Sequence, residues 1–196
     1  MDFSSAVPLM LSCLADLYEN VGYPEVQRAT GLLKQPHDQY TVNAGTVPEV
    51  ISNLTMALKH IPAHLRSPVL LEFAASPLWR TGGVVFPSSF KGRSAVLEIL
   101  GPDGLAVSHT IRCGLFLQSP DCLYPPHRHA AEEFYLVLSG NAHWQKGRGD
   151  FDEKAPGALI HHEPFENHAM KTFSETLLAA WIWIGEDVTY ETYRID

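Results

Sequence analysis

The chain has 196 residues, of which 45% are apolar and 10% aromatic. That is the composition of a globular protein, not a disordered one, at a length that buries roughly 70% of its unfolded surface without needing disulfides. Lys and Arg number 14 against 22 Asp and Glu, a net charge of −8, which excludes the basic surface that nucleic-acid backbones require.

The first elements are helical. Phe3, Val7, Met10, Leu14, Leu17, Tyr18 and Val21 recur at steps of three and four and predict one amphipathic helix. Ser4 or Ser5 is its expected cap, Pro8 falls in its first turn, and Gly22-Tyr23-Pro24 stops it. Residues 24–34 fit a short second helix. Thr46-Val47-Pro48-Glu49 reads as a capping box opening a helix whose stripe is Val47, Val50, Ile51, Leu54, Leu58 and Ile61, ended by Pro62. Residues 67–93 show little periodicity and read as a crossing segment.

From Ser94 the apolar period changes to two. Strand-like runs cover 94–100, 105–118, 133–139, 141–146, 158–162, 168–173 and 177–184. Turn formers separate them, among them Gly101-Pro102-Asp103-Gly104 and Ser139-Gly140-Asn141. Short strands spaced in this way predict an all-β sandwich or barrel. The reading is one domain: a helical extension over 1–66, the crossing segment, a barrel core over 94–185 and a C-terminal tail over 186–196. Helices with a single stripe make no core alone, so they are expected to pack on the outside of the barrel.

Cys13, Cys113 and Cys122 have no C-x-x-C spacing and are too few for a disulfide framework. No apolar run reaches the ~20 residues needed to span a bilayer. The Met-Asp start lacks the basic segment of a secretory signal, so a cytoplasmic protein without membrane or nucleic-acid partners is expected.

Histidine is the unusual residue: six of the 10 (His127, His129, His143, His161, His162 and His168) fall within 42 residues. His127, His129, Glu133 and Tyr135 are all odd-numbered and would share one face of an uninterrupted strand. Two imidazoles and a carboxylate converging on a point suit one divalent transition metal, with Zn²⁺ or Fe²⁺ ahead of Mn²⁺, Ni²⁺ or Cu²⁺. His168, opening a later strand, is the expected fourth ligand. His161 and His162 must point opposite ways; one facing inward behind the ligands is the alternative to simple surface placement, which is the expectation. His143 and Trp144 likewise face opposite sides.

The run His-Arg-His-Ala-Ala-Glu-Glu-Phe-Tyr-Leu-Val-Leu-Ser-Gly, residues 127–140, resembles the first cupin motif, and Pro164-x-x-x-His168 resembles the second. The resemblance covers roughly 94–185 and implies a mainly β fold, a single cupin β-barrel (double-stranded β-helix, or jelly roll) behind the N-terminal helices. Asp121 and Phe165 stand where the motifs usually carry glycine. Within cupins, Tyr124 and the H-x-H-x-x-x-E-x-Y pattern resemble the dimethylsulfoniopropionate (DMSP) lyases, most closely the DddQ group. That resemblance implies β-elimination of DMSP to acrylate and dimethyl sulfide. It also implies the ligands His127, His129, Glu133 and His168, a tyrosine base at Tyr135, and Tyr124 as a second active-site tyrosine.

The residues suit that chemistry. A free tyrosine has a pKa of ~10 and becomes a usable base only beside a cation. Trp181 and Trp183 alternate with Ile182 and Ile184, so both share a face. If that face is interior they offer π-surfaces to a sulfonium; if exterior, they pack under the helices. The excess acidic charge suits a substrate with a cationic end. The same ligands also fit a cupin Fe²⁺ dioxygenase of a small thiol or diol, or a non-enzymatic metal- or ligand-binding cupin, and a homodimer is compatible with all three.

Overall fold

The computed structural model describes residues 2–20, 26–37, 39–41 and 45–196. Helix α1 runs Phe3–Glu19 and is capped by Asp2, whose carboxylate accepts from the Ser4 backbone N–H at 3.1 Å. Ser4 and Ser5 therefore do not cap it. Both lie in the first turn and donate their hydroxyls to Asp2, an acceptor-only side chain immediately before the helix. Pro8 sits beyond the first turn, inside the helix. Val21 and the Gly22-Tyr23-Pro24 stop lie outside the described residues. Helix α2, Val26–Leu33, matches the short second helix and buries Val26, Ala29, Thr30 and Leu33.

The capping box at Thr46 does not form. The Thr46 carbonyl instead accepts from the Thr81 backbone N–H and hydroxyl, which holds this stretch extended and leaves Val47 exposed. Helical structure starts later, as a 3-10 turn over Glu49–Asn53 followed by α3, Leu54–Lys59. The crossing segment holds a further helix, α4, Pro68–Ala74, capped by the Ser67 hydroxyl on Leu70 N–H at 3.0 Å. Ser67-Pro68 was its signal: a cap followed by proline at the first helical position. No described helix is long and apolar enough to cross a membrane.

The remainder is two sheets. One has six strands in the order Ala106–Val107 (β2), Ser94–Gly101 (β1), Ile111–Gln118 (β3), Leu177–Ile184 (β10), Glu132–Ser139 (β5) and Leu159–His162 (β8). The other has five: Arg194–Ile195 (β11), Cys122–Arg128 (β4), His168–Thr172 (β9), Ala142–Lys146 (β6) and Asp152–Lys154 (β7). All pairings are antiparallel except β1 with β2. This is the cupin double-stranded β-helix, mainly β with N-terminal helices. The expected run 105–118 divides into β2 and β3, β4 and β7 are additional, and the tail contributes β11.

The six-stranded sheet separates two cores. Its outer face carries Leu115, Leu117, Phe134, Leu136, Leu138, Ala180 and Ile182, packed with Val7, Met10, Leu14 and Tyr18 of α1 and Leu70 and Phe73 of α4. Its inner face carries Phe116, Tyr135, Val137, Trp181 and Trp183, which pack with Tyr124, Trp144 and Met170 of the opposite sheet. The Tyr18 hydroxyl donates to the Phe134 carbonyl at 3.2 Å and ties α1 to β5.

Candidate metal centre

The four expected ligand residues do not come from one strand. His127 is in β4, His129 follows it in the connecting turn, Glu133 is in β5 and His168 opens β9. The expected common face arises because β4 and β5 belong to opposing sheets whose inner faces meet. Within the five-stranded sheet His127 and His168 are direct cross-strand partners, with ring centroids 4.0 Å apart. All four side chains are buried, and their ligand atoms lie within 4.8 Å of one another.

Hydrogen bonds fix which atoms face the centre. Nδ1 of His127, His129 and His168 lies 2.8, 3.0 and 2.8 Å from the carbonyls of Pro125, Ala131 and Glu166. A carbonyl only accepts, so each Nδ1 carries the hydrogen and each Nε2 keeps its lone pair. Trp183 Nε1 donates to Glu133 Oε1 at 2.5 Å, which leaves Oε2 for the centre. Nε2 of His129 and of His168 stand 3.3 and 3.0 Å from that oxygen. All three atoms are buried without a hydrogen-bond partner. Unpaired lone pairs converging in a dry site are costly without a cation and well suited to one. The donor set of three imidazoles and one carboxylate thus fits a single divalent transition metal.

The local electrostatics agree. Burial first, and then the neighbouring His168, holds His127 well below the usual histidine range, so its imidazole stays neutral. For Glu133, burial alone would raise the carboxyl, but His129 and His168 outweigh it and hold it well below the usual range. His162 is not on the surface as expected. It is buried, its ring is stacked on His168 at 3.9 Å, and burial lowers its pKa to about 2. Its register opposite Glu133 puts it on the inner face, while His161 points outward, 2.9 Å from Glu132 and stacked on Phe134. Trp144 packs inward and His143 lies on the outside against Phe173.

A pocket opens beside the centre, lined by Glu133, Tyr135, Tyr124, Trp181, Trp183 and Phe116, with Tyr190 and Tyr193 closing it. Both tryptophans therefore face inward, and Glu133 is the sole charged side chain in this lining among the described residues. Tyr135 is buried, and burial followed by the Glu133 charge raises its phenol well above the ordinary value. Tyr124 stacks on His127 at 4.3 Å and is raised by burial as well. Tyr190 and Tyr193 escaped the sequence reading because they lie beyond the last long strand. Two tyrosines three residues apart in a short tail after the last long strand were the available signal.

Asp121 and Phe165, the two departures from the motif glycines, have φ of 47° and 61°. They are the non-glycine residues of positive φ among the described residues. The turns have kept the left-handed backbone that glycine would favour.

Fold and site together define a cupin with a buried three-histidine, one-glutamate centre beside an aromatic pocket. The sequence pattern of the dimethylsulfoniopropionate lyase family matches residues 25–179, and the chain belongs to that family. Over 99 residues it is 26% identical to dimethylsulfoniopropionate lyase DddQ of Ruegeria pomeroyi, covering 50% of this chain and 49% of that protein. The chain thus matches about half the length of this curated relative. The fold is similar over 100% of both chains to a crystal structure from the study of the DMSP lyases RdDddP and RnDddQII, with TM-score 0.76 and 25% identity. It also resembles the crystal structure of DddQ from Ruegeria pomeroyi DSS-3, with TM-score 0.63 and 20% identity over 92% of this chain and 96% of that one.

Proposed function

We propose that this chain is a metal-dependent DMSP lyase that eliminates dimethyl sulfide from DMSP to leave acrylate, with Tyr135 as general base. The observation that carries this reading is the juxtaposition of the His127–His129–Glu133–His168 centre with Tyr135 and an aromatic pocket, in a chain of the DMSP lyase family. His127, His129, Glu133 and His168 would hold the ion. When bound, a divalent cation supplies Lewis acidity at the substrate carboxylate and offsets the Glu133 charge that raises the Tyr135 phenol.

The chain's own residues do the rest. Tyr135 lies two residues along β5 from Glu133 and on the same inner face. Its phenolate accepts the proton on the carbon next to the substrate carboxylate. The electron pair of that C–H bond forms the new double bond, and the C–S bond breaks with its electrons leaving on sulfur as neutral dimethyl sulfide. Trp181 and Trp183 present aromatic surface that stabilises a sulfonium without hydrogen bonds. The buried pocket excludes the water that would otherwise solvate both charges of the substrate.

The test is product identity. Protein loaded separately with Zn²⁺, Fe²⁺, Mn²⁺, Ni²⁺ or Cu²⁺ is incubated with DMSP, with headspace dimethyl sulfide and dissolved acrylate both measured. Equal amounts of the two products are expected with at least one ion. Absence of both with every ion would overturn the reading, and oxygen uptake with a small thiol would replace it by a dioxygenase.

A further inference from the structure

We infer that Tyr193 is a positioning residue of the site: its hydroxyl fixes the phenol of Tyr124 at the pocket wall. The two hydroxyl oxygens are 2.6 Å apart, and both residues are buried. Such a pair has two hydrogens, one of which is consumed between the oxygens. The other remains for a carboxylate or water in the pocket, and the bond determines where it points.

Tyr193 is well placed for this role. Its ring stacks with those of His127 and His129, at centroid distances of 5.2 and 5.7 Å. Tyr124 stacks on the other residues of this wall, at 4.3 Å from His127 and 4.5 Å from Phe90. Stacking sets the plane of the Tyr124 ring, while the contact with Tyr193 sets its hydroxyl direction.

The segment that delivers Tyr193 is fastened to the ligand-bearing strand. β11 pairs with β4 at Ile195↔His127 and Arg194↔Arg128. Asp196 forms an ion pair with Arg128 and accepts from Asn167, and the Thr192 hydroxyl accepts from the Ala130 N–H at 3.1 Å. These ties span both sides of Tyr193 and bind it to the β4–β5 turn that carries His129. The tail is thus a wall of the site and not an appendage.

The kinetic consequence rests on the lyase reading, whereas the bond itself can be read without it. Metal-loaded protein carrying [¹³Cζ]tyrosine is compared with Y193F and Y124F, the latter identifying the Tyr124 resonance. In Y193F the Tyr124 signal should move more than those of the other tyrosines. Should Y193F not fold, the Tyr193 signal in Y124F reads the same bond from the other side. An unmoved signal overturns the proposal.

With DMSP as substrate, Y193F should lower kcat about tenfold, the scale of one hydrogen bond, with a smaller change in KM. The double variant should be no slower than Y124F alone, because the second deletion removes an effect already lost. Independent, multiplicative losses would overturn a role exerted through Tyr124. Failure of the wild type to release dimethyl sulfide would defeat the lyase reading alone, leaving the resonance to decide on Tyr193.

Discussion

Along β10, Leu178, Ala180, Ile182 and Ile184 face the helices, while Leu177, Ala179, Trp181 and Trp183 face the opposite sheet. The two sets share one backbone and one ladder of hydrogen bonds, yet they bury different chemistry. The outer face of β10 is aliphatic and covered by the helices. The inner face is aromatic and borders four titratable groups with converging lone pairs. One sheet therefore separates stability from chemistry by residue parity, and neighbouring substitutions should have unlike consequences.

Tyr135 and Leu136 are the sharpest such pair, adjacent on β5 and facing opposite ways. Tyr135→Phe should lower kcat/KM by about 10²- to 10⁴-fold, the usual contribution of a general base. Its metal content should match wild type, and undiminished turnover would remove Tyr135 from the mechanism. Leu136→Ala should instead lower unfolding free energy by about 2–5 kcal/mol in urea titrations. Its turnover per folded molecule should stay near wild type; a stable but inactive variant would break the division between faces.

Smaller effects sharpen the picture within the inner face. Trp183→Phe keeps most of the packing but removes the N–H that holds Glu133 Oε1. Loss of such an outer partner typically weakens metal binding about 10–100-fold, measurable by competition with a chelator. Unchanged affinity would mean that Glu133 is oriented by its neighbours alone. The smallest change concerns a turn. Phe165→Gly should gain about 0.5–1 kcal/mol by relieving a left-handed backbone, after the entropy cost of glycine. Phe165 is largely exposed, so little packing offsets that gain, and a loss of stability would show that its ring is bound to something.

Parity and motif spacing made the clustering of His127, His129, Glu133 and His168 and the inner face legible in the sequence, because strand alternation is a local property. Alternation by itself would put His127, His129 and Glu133 on one strand, whereas they lie in β4, the following turn and β5. Joining His127 to Glu133 across two sheets depends on how β4 and β5 fold against each other, which spacing does not encode. Thr46 had a capping box in its residues, but Thr81, distant in sequence, took its carbonyl. His162, expected at the surface, is drawn inside because its register pairs it with Glu133. Tyr193 enters the site only through the pairing of β11 with β4. In each case the missing information was tertiary.

On the proposed mechanism the buried cluster would bind the ion on which elimination depends. Metal-free protein prepared with a chelator should release no dimethyl sulfide from DMSP. Stepwise reloading should restore the rate in proportion to bound ion and level off at one ion per chain. Full activity in the metal-free protein, or a rate that fails to follow occupancy, would contradict the account.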